Sequence, residues 1–288
     1  MTIRAIPVTK ADAALGAEIG VDLSRPLGDD IFAAIEVAFH DNIAVCFRSQ
    51  ILTNEQHIDF SRRFGELEIH IVKKYLLPGH PEVLLISNVR DESGELIGLA
   101  DAGFTWHSDT SYRRFPSRCS LLYAREVPHR DGVALGDTVF ANTIAAYAAL
   151  PAATKRRIDG RTAIHRYSER RRVPGSPRPK LTAAQLAETP DIAHPIVRTH
   201  PHTGRKALYI TAGECIGIDG MPDDEAAPLI AELDAWCVRP EFLHRHHWRV
   251  GDLLMWDNAA CMHLAICDYA LPERRLMHRT TVIGGQPF

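Results

Sequence analysis

A histidine and a carboxylate, His107 and Asp109, stand two positions apart directly after Trp106. In an extended segment, residues i and i+2 project to the same face, so these two side chains could hold one metal ion. The same spacing recurs at His57 and Asp59, which makes the pattern weakly specific by itself. Those two residues fall in a predicted helix, where positions i and i+2 do not face each other, so we expect no joint site there.

The residues around His107 favour an extended conformation, because residues 103–106 are typical of a strand and Thr110 begins a predicted turn. A third ligand is then needed, and the 15 histidines offer many candidates. His263 stands out because it follows an apolar strand with a polar turn at residues 251–258 and precedes an arginine-rich strand. Two histidines and one carboxylate with open coordination positions suit non-haem Fe(II) and oxygen chemistry.

A second histidine cluster offers a competing metal site. His244 and His246 alternate along a predicted strand and would share one face, with Glu241 as the nearest carboxylate. Such a cluster could bind zinc. Alternating His and Arg is also ordinary on a solvated strand face, and we take that as the expectation. The six cysteines contain no C-x-x-C pair, which argues against a zinc ribbon, and we expect reduced, mostly buried thiols.

The elements that must position these residues are mainly short strands. Predicted strands cover residues 3–8, 43–47, 83–86, 119–124, 196–199, 207–210, 252–256 and 277–283. Predicted helices cover residues 30–40, 54–64 (behind a Thr53/Gln56 capping box), 143–158 and 223–238. The helices cluster early and in the middle, so we expect a mainly β fold with flanking helices, of the sandwich or barrel type.

Length and composition set wider limits. The 288 residues are 45% hydrophobic, which predicts one globular domain over residues 1–288. With 33 basic and 36 acidic residues, the formal charge of -3 gives no global attraction to nucleic acid or to an anionic membrane. There is no leader pattern and no apolar run of about 18 residues, so we expect a soluble cytoplasmic protein.

One segment looks unlike the rest, because residues 168–180 are basic and Pro-rich without an apolar period. Proline excludes this run from a helix interior or a central strand. A solvated loop explains it, and so does an active-site lid over residues 168–190 that orders over an anionic substrate.

Several ordered motifs together resemble the taurine/2,4-dichlorophenoxyacetate dioxygenase family. They are Trp106-His107-Ser108-Asp109, Gly136-Asp137-Thr138, the segment 251–258, His263 and Arg274-Arg275-Leu276-Met277-His278-Arg279. The resemblance implies a double-stranded β-helix, or jelly roll. It also implies an Fe(II)-dependent dioxygenase with 2-oxoglutarate as co-substrate. Such an enzyme oxidises a small anionic substrate (sulfonate, sulfate ester or aryloxyalkanoate) and releases succinate and carbon dioxide.

The same resemblance implies roles for single residues. His107, Asp109 and His263 would bind the iron, while Thr138 and Arg275 would bind the distal carboxylate of 2-oxoglutarate. A guanidinium pairs with a carboxylate through two hydrogen bonds, and a hydroxyl adds a third donor, which agrees with that pairing.

Two further residues would meet the acidic group of the primary substrate by the same resemblance, namely Arg279 and His70. The family pattern is interrupted by extra residues at 133–135 and near Ala270, so Arg274 remains an alternative to Arg275. Two rival functions stay open from the residues alone, a zinc-dependent hydrolase and a non-catalytic jelly-roll binding protein. Homo-oligomers are frequent in the family, so the resemblance leaves a homo-oligomer open here as well.

Overall fold

The computed structural model describes residues 4–167 and 182–288. Six α-helices lie in these two ranges. In chain order they are α1 (Asp29–Asn42), α2 (Asn54–Arg62), α3 (Thr143–Ala149), α4 (Ala152–Ile158), α5 (Ala183–Ala187) and α6 (Asp223–Cys237).

The described residues also form eighteen strands, most of them short. In chain order they are β1 (Val8–Lys10), β2 (Ala17–Ile19), β3 (Ala44–Phe47), β4 (Leu76–Leu77), β5 (His80–Ser87), β6 (Ser117–Glu126), β7 (His129–Arg130), β8 (Val133–Ala134), β9 (Thr138–Asn142), β10 (Thr162–His165), β11 (Ile192–Pro195), β12 (Val197–Thr199), β13 (Lys206–Leu208), β14 (Cys215–Ile218), β15 (Leu243–His246), β16 (Leu253–Asp257), β17 (Cys261–Ala265) and β18 (Leu276–Ile283).

Eight strands form the main sheet in the order β1-β2-β3-β16-β6-β18-β5-β4. The neighbours are antiparallel except β2 and β3. Successive residues of a strand point to opposite faces. Leu121 of β6 therefore packs with Phe39 of α1 and Phe60 of α2, which cover one face. Leu122 points to the other face and joins a cluster that includes Phe140 of β9.

A smaller sheet, β15-β9-β17, packs against this second face. Phe140 meets Trp256 of the main sheet with ring centroids 5.7 Å apart. The next residue, Ala141, points outward and packs with Leu229 and Leu233 of α6. The small sheet is thus buried on both sides, and the space between the two sheets is where side chains from β6, β17 and β18 converge.

The strand-rich architecture with flanking helices agrees with the prediction, and three of the predicted helices match α1, α2 and α6 to within two residues at each end. The predicted helix 143–158 is in fact two helices, because Pro151 follows the end of α3 and cannot continue it. The strands β9 and β17, which carry site residues, were not predicted.

The predicted strand at residues 103–106 is wrong. Gly103 has a positive φ of 80° and lies in a turn, and the segment makes only an isolated bridge between His107 and His263. The turn brings the chain close to other atoms, because a Cβ at Gly103 would lie 3.4 Å from both Ala265 Cβ and His107 Cε1. The segment is therefore not a regular strand, and a few backbone hydrogen bonds to β17 hold it in place.

The predicted lid at residues 168–190 falls largely on residues 168–181, which lie outside the described residues. Its last part contains α5, whose Gln185 donates a hydrogen bond to the carbonyl oxygen of Ile71 at 3.2 Å. Residues 188–190 line a cavity of about 470 Å³ together with Arg113. Within residues 4–167 and 182–288, no helix has the length and apolar character needed to span a membrane.

Gly251, which precedes β16, offers a test of the fold. Its φ is +86°, and an added Cβ would lie 2.9 Å from the backbone oxygen of Gln50. We expect Gly251→Ala to lower the free energy of unfolding by about 2–4 kcal/mol, from backbone strain plus steric overlap. Urea unfolding measures this loss.

Gly94 provides the matched control, because its φ is +83° but no atom of residues 4–167 or 182–288 lies within 4 Å of the added Cβ. Gly94→Ala should cost only the strain, about 1 kcal/mol. Equal losses in the two variants would show that the close approach of residues 50 and 251 contributes nothing.

Candidate active site

His107 and His263 are brought together by backbone pairing. The His107 amide donates to the His263 carbonyl at 3.1 Å, and the His263 amide donates back to the His107 carbonyl at 2.8 Å. Their ring centroids lie 4.1 Å apart. Asp109 completes the group, with its Oδ1 3.6 Å from His107 Nε2 and its Oδ2 3.8 Å from His263 Nε2. One ligand atom from each residue lies within 4.8 Å of the other two, and all three residues are buried.

The tautomer of His107 follows from its second nitrogen. Nδ1 lies 2.8 Å from the carbonyl oxygen of Thr105. A carbonyl oxygen can only accept, so Nδ1 carries a proton and Nε2 is the nitrogen that faces Asp109. This is the arrangement that metal-bound histidines use, in which the remote N–H is held by a backbone carbonyl.

The Asp109 carboxylate is oriented by its neighbours. Ser120 Oγ donates to Oδ2 at 2.7 Å, and Arg279 donates to Oδ1 at 3.2 Å. The Asp109 amide also donates to Asn258 Oδ1 at 3.2 Å. Burial by itself raises the pKa of the Asp109 carboxyl, but Arg279 and the imidazoles of His263 and His107 more than offset this and hold the pKa well below its usual range. Asp109 is therefore ionised.

The donor set fits a divalent iron ion. The ionised carboxylate of Asp109 faces Nε2 of both imidazoles, and distances of 3.6 and 3.8 Å between these nitrogens and the carboxylate oxygens are too long for hydrogen bonds. Two imidazoles and one carboxylate leave coordination positions open, which is the set suited to non-haem Fe(II).

Arg275 and Thr138 line a small cavity beside this group, of about 40 Å³, together with His107, His263 and Arg279. Arg275 is 2% exposed, and its Nε and Nη2 have no hydrogen-bond partner among the described residues. A buried guanidinium without an anion is costly, so this cavity is prepared for a negatively charged ligand.

The alternative anchor Arg274 points elsewhere. It makes two hydrogen bonds to the Glu126 carboxylate, at 2.8 and 3.1 Å, and its side chain is exposed. Arg274 also does not line the cavity that Arg275 lines. The geometry therefore favours Arg275 over Arg274.

His70 is not brought into the same cavity as Arg279. It is half-buried, and its Nδ1 accepts a hydrogen bond from the Val72 amide at 3.1 Å. Glu68 is instead the nearby group that sequence reasoning missed, a buried carboxylate 2.9 Å from Arg113 Nη2. Burial raises the pKa of the Glu68 carboxyl above its usual value. The charges of Arg113 and Arg279 lower this pKa in part, and the charge of Asp109 raises it further.

The rival cluster at His244 and His246 is not a solvated strand face, because His246 is 3% exposed. Its Nε2 lies 3.4 Å from Asp252 Oδ2, and Cys46 is close enough to join a metal cluster. However, Arg48 donates to the same Asp252 oxygen at 2.5 Å, so that carboxylate already has its cation.

The two remaining carboxylates that the sequence placed near histidines, Glu241 and Asp59, do not complete a metal site. Glu241, the residue expected to complete the rival cluster, pairs with Arg239 at 2.7 Å. In the helical His-x-Asp copy, His57 is buried against Thr280 while Asp59 is exposed. As predicted, these two side chains do not form a joint site.

The comparisons with known proteins agree with this geometry. The family model described as taurine catabolism dioxygenase TauD, TfdA family matches residues 5–281. The alpha-ketoglutarate-dependent 2,4-dichlorophenoxyacetate dioxygenase of Cupriavidus pinatubonensis is 34% identical over 273 residues, which cover 91% of this chain and 92% of that protein.

Solved structures extend the likeness to the fold. A taurine dioxygenase from Burkholderia xenovorans has a TM-score of 0.81 at 32% identity, over 99% of this chain and 91% of that chain. The structure of AAD-2 in complex with Mn(II) and N-oxalylglycine also has a TM-score of 0.81, at 29% identity and over 99% of both chains.

The chain therefore belongs to the TauD/TfdA dioxygenase family. The predicted family, the enzyme class and the use of Fe(II) with 2-oxoglutarate are confirmed, and the zinc hydrolase and the non-catalytic binding protein are set aside.

Arg275 is buried and Arg274 is exposed, so the two arginines should contribute differently to stability. Arg275→Met keeps the aliphatic stem and removes a buried guanidinium whose Nε and Nη2 have no partner in the described part of the chain. We therefore expect the ligand-free protein to gain about 1 kcal/mol in free energy of unfolding. Arg274→Met, the control, removes an exposed ion pair and should lower it by less than about 1 kcal/mol. Chemical unfolding of both variants checks this, and a loss of about 2 kcal/mol or more for Arg275→Met would mean that its charge is already balanced.

Proposed function

We propose that the chain oxidises a small organic acid at an iron ion held by His107, Asp109 and His263. The observation that carries this proposal is the buried group of two imidazoles and an ionised carboxylate that face one another without hydrogen bonds. When bound, iron supplies the activation of oxygen that no side chain can supply. The residues of the chain bind, orient and keep water away from the reacting groups.

The co-substrate 2-oxoglutarate would be anchored at its distal carboxylate by Arg275 and Thr138. Both residues line the cavity beside the two histidines. The free Nε and Nη2 of Arg275 form a fork suited to two parallel hydrogen bonds, and the Thr138 hydroxyl adds a third. If the distal carboxylate binds there, the other end of 2-oxoglutarate would point toward His107 and His263, because these histidines line the same cavity.

The acid group of the primary substrate would meet Arg279. This guanidinium lines the same cavity and contacts Asp109 Oδ1 at 3.2 Å. A metal ion at Asp109 would take over the neutralisation of that carboxylate and leave Arg279 for an incoming anion. His70 would contact the same acid group, and this role rests on the family resemblance.

The substrate class follows from the same guanidinium. The relative from Cupriavidus pinatubonensis is named for a carboxylic acid, and the structure from Burkholderia xenovorans is named for taurine, a sulfonate. We propose that the substrate is a carboxylate, a sulfonate or a sulfate ester. We also propose that the main sheet and β15-β9-β17 are the two halves of a double-stranded β-helix in one domain.

The proposed activity has a direct test. Purified protein with Fe(II), ascorbate and 2-oxoglutarate should consume oxygen and form succinate, and a panel of carboxylates, sulfonates and sulfate esters should identify the acids that stimulate it. His107→Ala should lower substrate-stimulated succinate formation by at least about 10³-fold, because the ion loses a ligand. Mn(II) binding, followed by calorimetry, should weaken in parallel.

His80→Ala is the control, because His80 lies in β5, pairs with Glu55 and is outside the cavity. It should retain wild-type succinate formation. Equal activity of wild type and His107→Ala would rule out this iron site. Stimulation by a neutral compound, with none of the acids active, would refute the proposed substrate class.

The two arginines of the cavity should affect different substrates. Arg279→Gln is expected to raise KM for the stimulating acid by about 10- to 100-fold, since it removes a charge-assisted hydrogen bond. Arg275→Gln should instead raise KM for 2-oxoglutarate by a similar factor. Steady-state kinetics with each substrate varied in turn measures the split, and a reversed pattern would exchange the two assignments.

A further inference from the structure

Trp248 lies next to the proposed 2-oxoglutarate cavity without lining it. It is 1% exposed, and its indole Nε1 donates a hydrogen bond to Thr138 Oγ1 at 3.1 Å. The indole belongs to the apolar cluster between the two sheets. Packing alone would explain a buried ring, but it does not explain the direction of the N–H.

The hydrogen bond between the Trp248 indole and the Thr138 hydroxyl determines which group donates. An indole N–H can only donate, so Thr138 Oγ1 is the acceptor in this contact. The hydroxyl has a single proton, which is then free to be donated elsewhere. Because Thr138 lines the cavity with Arg275, a ligand in that cavity could accept this proton.

The Arg275 guanidinium is held by aromatic rings. Its Cζ lies 6.0 Å from the Trp248 ring centroid and 5.7 Å from the Tyr269 ring centroid. Tyr269 can approach because Gly136 has no side chain, and a Cβ there would lie 2.9 Å from Tyr269 Cε1. The contacts to both rings restrict the guanidinium before any ligand binds, which lowers the entropy lost on binding.

We infer that Trp248 is a positioning residue for 2-oxoglutarate, which points the Thr138 hydroxyl proton at the distal carboxylate and, with Tyr269, holds Arg275 toward the same carboxylate. This inference rests on the proposed function. Neither aromatic residue lines the cavity, so both would act through Thr138 and Arg275. The expected consequence is an effect on co-substrate affinity that leaves metal affinity unchanged.

Trp248→Phe tests the inference, because phenylalanine keeps a ring and removes the N–H. Titration of N-oxalylglycine, a 2-oxoglutarate analogue, into Mn(II)-loaded protein should show about 3- to 10-fold weaker binding, the loss expected for one hydrogen bond. The Kd for Mn(II) should change by less than about 2-fold, because no metal-binding residue is altered. Circular dichroism and thermal unfolding report whether the variant is folded.

Trp236→Phe is the matched control, because Trp236 Nε1 donates to the Ala146 carbonyl at 2.9 Å on the outer side of the small sheet. It loses the same kind of donor and should bind N-oxalylglycine like the wild type. Tyr269→Leu is a second variant that does not alter Trp248, and it should weaken N-oxalylglycine binding by about 2- to 5-fold.

A double-mutant cycle separates positioning from general loosening. If Trp248 acts through Thr138, Thr138→Val and the double variant with Trp248→Phe should bind N-oxalylglycine within about 2-fold of each other. Full additivity, or wild-type affinity in Trp248→Phe, would overturn the inference. Arg275→Gln should still weaken N-oxalylglycine binding by about 10- to 100-fold in that case, because the proposed 2-oxoglutarate site would stand. If the wild type fails to bind N-oxalylglycine, the proposed 2-oxoglutarate site is wrong as well, so the two failures are distinguishable.

Discussion

The two backbone hydrogen bonds between His107 and His263 are the constraint on which the site depends. They attach a loop to β17, and a third bond from the Ala265 amide to the Gly103 carbonyl at 2.7 Å extends the attachment. Because β17 is itself paired to β9, the loop takes its place from the small sheet. The imidazole pair and Asp109 are therefore placed by main-chain pairing, which is more rigid than a free loop would be.

Burial between two sheets makes each charge in the site depend on another. Asp109 contacts Arg279, and Glu68 contacts Arg113, so two carboxylates and two guanidinium groups balance locally. Arg275 is the exception, since no carboxylate of the described residues reaches its Nε or Nη2. A divalent cation and a dianion that bind together would leave the local charge unchanged, which explains how a buried site can admit two such highly charged ligands.

The spacing of His107 and Asp109, together with the family motifs, was enough to predict the group of His107, Asp109 and His263. The strand predicted before His107 is wrong, because the segment is a turn with one bridge. Glu68 could not be predicted, since it reaches the site only because its amide donates to the Thr281 carbonyl and so lies beside β18. Pairing of this kind leaves no local pattern in either segment.

Donor composition alone does not identify a metal site in this chain. A second group, His40, His200 and Asp257, has two imidazoles and a carboxylate within the same reach. There, His200 Nδ1 accepts from the amides of His202 and Thr203, so Nε2 carries the proton and donates to Asp257 at 2.8 Å. At His107 the hydrogen bond is on the other nitrogen, because Nδ1 donates to a carbonyl and Nε2 faces the carboxylate. The hydrogen bond on the remote nitrogen therefore decides which imidazole can bind a metal ion and which can only support the fold.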